Sequence, residues 1–206
     1  SLVFEDSEAQ LSYSAFQAGY VAGDYCLFKE DTWSIAFWIK PTADNDEQPL
    51  VMLIDGAHDG VKIKLNADEE LVVRFDDTEY TASSACTAGS WNHIVVTYDK
   101  GATTLKAYVN NSAVISNTSV DYDSAIGAST FYFFYNGGGS GEGRYFEGRV
   151  FEFLWWHEAL SATNVANAYN GGDPNNWREE LYHRTTNPRP QCWYTCGDFY
   201  WDGDPY

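Results

Sequence analysis

Carboxylates dominate the side chains able to do chemistry: 206 residues carry 30 Asp and Glu against 12 Lys and Arg, a formal net charge of −18. Hydrolysis of a glycosidic bond needs two carboxyl groups facing one cleft, one as acid and one as nucleophile or base. On a strand this means acids at alternate positions, which share a face. Glu147 and Glu152 are five apart and fall on opposite faces of a regular strand. Asp77 and Glu79 alternate correctly but belong to the turn expected after Phe75, and Asp68, Glu69 and Glu70 read as a solvated hairpin tip. His93 lies inside a strand-like run with no Ser or Cys nucleophile readable beside it, so it is expected to be a half-buried, hydrogen-bonded structural residue. No catalytic residue is assigned, and the chain is expected not to be an enzyme.

Other chemistries leave equally few residues. The segment NGGGSGEG at 136–143 lacks the Gly-Lys-Ser/Thr ending of a phosphate loop and opens no helix. It reads either as a loop that a ligand approaches closely or as a plain connector. Cys26, Cys86, Cys192 and Cys196 fit two disulfides or four thiols, and Cys192 and Cys196 are close enough in sequence to pair. There is no CxxC and the four His are scattered, so no structural zinc site and no other metal set is assigned. Asp55, His58 and Asp59 form an acidic loop, read as turn residues with ion binding as the alternative. Asn110 and Asn117 satisfy the glycosylation sequon, which matters only in a eukaryotic secretory pathway.

So acidic a surface repels phosphate backbones, which argues against nucleic acid as a partner. Solubility in salty surroundings, divalent cations or a basic partner account for the charge, solubility being favoured. No apolar run spans a bilayer. The start at Ser1-Leu2-Val3-Phe4 shows no signal-peptide pattern, which fits either a removed signal or a lost initiator Met. Aromatic content is 17 %; Tyr, Trp and Phe favour strands and also supply flat faces for sugar rings.

The elements that must position these groups are strands. Strand-like runs occupy 2–4, 33–40, 50–54, 61–65, 71–75, 92–98, 105–109, 131–135 and 149–156, with turn signals such as Asp55-Gly56, Asp59-Gly60, Asp76-Asp77, Lys100-Gly101 and Asn110-Asn111 between them. The last run sets Val150, Glu152, Leu154 and Trp156 on one face and Arg149, Phe151, Phe153 and Trp155 on the other. Ser161 then stands as a helix N-cap, Val165, Ala168 and Tyr169 recur at helical spacing, and Gly171 and Gly172 stop the helix. Many short strands with short connections predict antiparallel sheets in a sandwich or barrel.

Taken in order, the opening strand, WSIAFWIKP at 33–41, WNHIVVTYD at 91–99, LKAYVN at 105–110 and the block 145–172 resemble a laminin-G-like, concanavalin A-like lectin-glucanase domain over residues 1–172. The resemblance implies an all-β, antiparallel two-sheet jelly-roll sandwich with one short helix near its C-terminal end. It also implies a late strand with Asp before Glu, the Asp ligating calcium; here the pair is Phe151-Glu152, and an apolar ring cannot hold a hard cation. Calcium therefore loses its expected ligand, and no cofactor is assigned. Pentraxins join two central strands by a disulfide, whose positions match Ala36 and Val95 here, so the chain is not a pentraxin in function.

Family topology places the loops carrying Asp55, His58 and Asp59 with those carrying Tyr135, Asn136, Glu142, Arg144 and Tyr145 at one end of the sandwich, as a ligand site. After Gly172 a second segment, 173–206, reads as an aromatic arm, with Trp193, Tyr194, Phe199, Tyr200 and Trp201 docking on the sandwich or on a partner. Tyr169-Asn-Gly-Gly, Pro174, His183 and Trp193-Tyr194 with Gly197-Asp198 are similar to laminin-G-like structural proteins of tailed bacteriophages. The resemblance implies a virion component, a capsid decoration or fibre protein that contacts capsid proteins, sister copies in a homo-oligomer or host-surface glycans. The alternatives are a secreted, extracellular lectin and, behind it, a glycoside hydrolase.

Overall fold

The computed structural model describes residues 2–4, 11–12, 32–43, 46–54, 61–75, 78–120, 130–134, 146–172 and 192–194. Strands form where the sequence alternates. In β5 (Val61–Leu65) and β6 (Leu71–Phe75), Val61, Ile63, Leu65, Leu71, Val73 and Phe75 enter the core, while Lys62, Lys64 and Arg74 do not. The other strands are β1 (Leu2–Phe4), β2 (Leu11–Ser12), β3 (Thr32–Pro41), β4 (Gln48–Ile54), β7 (Thr78–Ala82), β8 (Asn92–Asp99), β9 (Thr104–Val109), β10 (Ser112–Asn117), β11 (Thr130–Phe133), β12 (Gly148–Trp156) and β13 (Cys192–Tyr194). The helix is α1 (Ala162–Tyr169).

Two antiparallel sheets result. The first runs β1-β12-β3-β8-β9-β10, with β13 also on β12; the second runs β2-β11-β4-β5-β6-β7. The inner faces of both contribute to one core, from Trp33, Ile35, Phe37 and Ile39 on β3 to Leu50 and Val51 on β4. This is the sandwich expected from the resemblance. Two elements correct the sequence reading. Thr78–Ala82 is a strand, not a turn, and its polar edge carries little hydrophobic period. Ser112–Asn117 is the return arm of a hairpin whose turn residues Asn110 and Asn111 both have positive φ, 49° and 65°, the twist a two-residue hairpin requires.

The larger correction lies in β12. Its register against β3 jumps from Phe151 opposite Trp38 to Phe153 opposite Phe37, leaving Glu152 as an extra residue with φ of 49°. This β-bulge reverses the facing of every later side chain. Val150 and Phe153 both enter the core between the sheets and Trp155 packs against it, whereas Leu154 and Trp156 turn outward. Regular alternation predicted the reverse for 153–156. Phe153 then stacks on Phe37 at 5.9 Å and meets Phe133 edge-on at 4.3 Å, contacts each worth about 0.5–1.5 kcal/mol beyond burial.

The outward residues need a cover, and α1 supplies it. Val165 and Ala168 of the helix join Ala36, Val95, Tyr108, Leu154, Trp156 and Leu160 in a second apolar cluster. Ala36 and Val95 are direct register partners with no exposure, so the two positions that match the pentraxin cysteines do face each other here as small apolar groups. Ser34, also fully buried, anchors the approach to the helix: its hydroxyl donates to Glu158 O at 2.7 Å and accepts from Leu160 N at 2.9 Å. Ser161 caps the helix by accepting from Asn164 N, and Asn170 ends it in the left-handed conformation.

One end of the sandwich is closed by a side chain that joins the sheets. Gln48 on β4 is buried; its Nε2 donates to Thr42 O at 3.0 Å and its Oε1 accepts from Glu147 N at 3.4 Å. Beside it Gly148 adopts φ of 147°, and a Cβ there would lie 2.3 Å from Lys40 O. Backbone on both sides leaves no room to yield. Gly148→Ala is therefore expected to destabilise by about 2 kcal/mol or more, lowering Tm by roughly 5 °C or more in a thermal melt. Gly101→Ala, whose added Cβ meets only Asp99 Oδ1 at 3.4 Å, is expected to stay within about 0.5 kcal/mol.

Candidate functional site

Of the residues nominated from sequence, Asp55, His58, Asp59, Tyr135, Asn136, Glu142, Arg144, Tyr145, Phe199, Tyr200 and Trp201 lie outside the described residues. The strands leading to the two loops are described. Ile54 pairs with Thr130 and Phe133 with Val51, so the chain leaves β4 and β11 at opposite ends of an antiparallel pair. At the second exit Phe134 N donates to Leu50 O, and Phe146 N donates to Phe134 O. From the arm, Cys192–Tyr194 forms β13 and pairs with β12 of the same chain, Trp193 opposite Leu154 and Tyr194 opposite Phe153.

The described surface offers two outer faces, and they differ in kind. On the second sheet, Lys62 and Lys64 of β5 and Arg74 of β6 point away from the core. Lys64 is clamped, its Nζ lying 2.7 Å from Glu47 and 3.0 Å from Glu79. Desolvation opposes its charge, but the two carboxylates outweigh it and raise its pKa. Glu79, expected in a turn, stands on β7 facing this ammonium. Lys64 thus bridges the two carboxylates, and Glu79 is engaged in that salt bridge. Glu147 precedes β12 and Glu152 occupies its bulge, so the two do not stand on one regular strand as expected, and Glu152 is buried.

Among the described residues, α1 covers the first sheet's outer face only in part. Beyond the helix, two register rows remain. Phe151, Trp38 and His93 form one row across β12, β3 and β8; Arg149 and Lys40 form the next, with Trp91 in line just before Asn92, the partner of Ile39. Tyr169, at the end of α1, stacks on Trp38 at 5.8 Å, and Trp38 meets His93 at 4.7 Å. Trp38 and His93 are buried, Phe151, Trp91, Tyr169 and Lys40 are partly exposed, and Arg149 is exposed. The Trp38 indole nitrogen is enclosed and makes no hydrogen bond. Lys40 and Arg149 make no side-chain hydrogen bond or ion pair among the described residues. The result is an open ledge of aromatic faces edged by two cations. Sequence reasoning missed it because the bulge and the strand register bring these residues together; the alternation of Trp38 with Lys40 was the available signal.

Calcium does not fit this face. Phe151, at the position of the relatives' aspartate, stands opposite Trp38 among rings and offers no oxygen. Among the described residues no group of three or more His, Cys, Asp or Glu gathers as a metal site. Cys86 is a buried free thiol whose pKa burial pushes up to about 12, which makes it a core residue and not a nucleophile.

Residues 16–166 match the family model described as concanavalin A-like lectin/glucanases superfamily, of laminin G type. Among solved structures the chain is similar to a heptameric SAP-like pentraxin from Limulus polyphemus, with 16 % identity and a TM-score of 0.55 over 66 % of this chain and 69 % of that one. It is similar to the CBM40 domain of the Ruminococcus gnavus IT-sialidase bound to α2,3-sialyllactose, with 14 % identity and a TM-score of 0.58 over 69 % and 84 %. A third is botulinum neurotoxin type C, whose uptake into cells depends on two ganglioside molecules, with 14 % identity and a TM-score of 0.50 over 69 % of this chain and 36 % of the toxin chain. At these identities the likeness concerns the fold. No curated protein matches by sequence.

His93 is more deeply placed than the half-buried residue expected: it is fully enclosed between Trp38 and Tyr169, and desolvation lowers its pKa to about 3. A neutral imidazole in that position is no proton shuttle at neutral pH. It has a thermodynamic signature instead. The unfolded chain takes up a proton near pH 6.5 while the native state does not, so stability is full above that pH and falls as pH drops from about 6.5 toward 3. Denaturant melts are expected to lose up to about 1.4 kcal/mol per pH unit between pH 6 and 5 from this residue, and His93→Gln is expected to flatten that part of the profile.

Proposed function

Because this chain belongs to the concanavalin A-like lectin/glucanases superfamily, we propose that it is a non-catalytic carbohydrate-binding domain whose sugar contacts lie on the ledge beyond α1. One observation carries this reading: partly exposed Phe151, Trp91 and Tyr169 lie beside Lys40 and Arg149, two cations with no partner among the described residues. Flat aromatic faces suit the C–H faces of sugar rings, and charged groups at their rim fix orientation. The fold of a domain bound to sialyllactose and of a toxin that uses gangliosides supports a glycan as the ligand class. The clamped Lys64 supports binding without hydrolysis.

The proposed setting is a virion surface, which rests only on the resemblance read from the sequence after Tyr169, with capsid or sister-subunit contacts falling to the arm's aromatic residues. Copy number in purified particles tests that setting; absence from them removes it and leaves glycan binding standing. For binding itself, a glycan array read with the whole chain is expected to give a restricted set of hits without added calcium. Phe151→Ala and Trp91→Ala are expected to weaken those hits tenfold or more, with Tm unchanged within about 3 °C. Lys106→Ala, on the same sheet but away from the ledge, is expected to leave them intact. Reducing-sugar release from the bound glycans, or an array without hits, would contradict the proposal.

A further inference from the structure

Two bases that face each other with no carboxylate paired to them among the described residues are out of character in a chain with 30 acids. Arg149 and Lys40 are direct register partners on neighbouring strands, and like charges placed so repel each other. Their outward orientation follows from their neighbours: Ile39 and Val150 are both in the core between the sheets. The other described bases behave differently. Lys64 is held by two glutamates, and Lys62, Arg74 and Lys100 are engaged. Lys106 is unengaged but stands on β9, opposite Thr97, away from the pair. Glu147, two positions before Arg149, makes an interaction of its own, and neither base is party to it. Among the described residues, then, nothing compensates the repulsion between Lys40 and Arg149.

We propose that Lys40 and Arg149 form a subsite for the carboxylate of an acidic sugar, such as a sialic or uronic acid; this rests on the ledge being the glycan site. The geometry suits one carboxylate. A guanidinium offers a planar fork that matches its two oxygens, and the ammonium adds a second charge on the same anion. The sugar ring carrying that carboxylate then lies toward the next row, over the partly exposed ring of Phe151. Polyanions are poor candidates: a net charge of −18 repels a densely sulfated or phosphorylated chain, whereas a single carboxylate meets the local cations without bringing a field of its own.

The test is isothermal titration of the whole chain with matched sugars: lactose, 3′-sialyllactose and 3′-sulfolactose, and cellobiose with cellobiouronic acid. At least one carboxylated sugar is expected to bind tenfold or more tighter than its neutral parent and tighter than the sulfated one. That preference should shrink on raising salt from 50 to 500 mM. Lys40→Ala and Arg149→Ala should each reduce it by about tenfold, without lowering Tm and without changing the affinity of a neutral sugar. Equal binding of carboxylated and neutral sugars, sulfate preferred over carboxylate, or a carboxylate preference that survives in the double variant overturns the subsite while leaving glycan binding intact. Failure of every sugar here and on the array overturns the glycan reading and the subsite with it.

Discussion

One inserted residue, Glu152, decides which way the most connected strand of the molecule faces. β12 bonds to β3 on one side and to both β1 and β13 on the other. Its first half must send Val150 into the core and Arg149 outward; its second half must send Phe153 inward and Leu154 and Trp156 under the helix. A regular strand cannot do both, because the side-chain period is two and the sequence between the halves has the wrong parity. The extra residue corrects it, with a non-glycine residue held at φ of 49°, a conformation that costs of order 1–3 kcal/mol and survives only where the surroundings enforce it. The cross-strand packing of Phe37, Phe133 and Phe153 and the docking of α1 supply that enforcement.

The same bulge separates the outer face of the first sheet into two regions. After it, the outward side chains are large and apolar and are buried by a helix of only two turns. Before it, Arg149 and Phe151 face outward where the helix has already ended at Asn170. The helix terminus contributes Tyr169 to the boundary, so the ledge inherits its aromatic wall from the element that covers the rest of the face. The second sheet has no such division. Its outward bases alternate strictly with core residues, and the cross-strand rows bring Lys64 to Glu47 and Glu79. Charges there satisfy one another, which serves register; Lys40 and Arg149 on the ledge have no such partner among the described residues, which is the ground for proposing it as the binding face.

Much of this architecture was legible residue by residue. β5 and β6 were bounded correctly because their alternation is strict, and α1 because Ser161, Val165, Ala168 and the following glycines are all helix-terminus or helix-face signals. The matching of Ala36 with Val95 came from family likeness and is seen as a direct register pair. What escaped had physical reasons. A bulge is a backbone event, and EFLWW alternates plausibly in either parity. Thr78–Ala82 hides because an edge strand with polar residues has no hydrophobic face to display. The ledge escaped because its members come from β3, β12, α1 and the approach to β8, and no spacing along the chain joins them. The nominated loop residues were chosen by composition and likeness, and they fall outside the described residues.

Mapping amide and indole NMR shifts during titration with an array-selected glycan locates the bound sugar on one outer face or the other. Perturbations are predicted to concentrate at Lys40, Trp91, Arg149 and Phe151 and at the Trp38 indole N–H. Perturbations centred on Lys62, Lys64 and Arg74 of the second sheet, with the ledge silent, would contradict the proposed site.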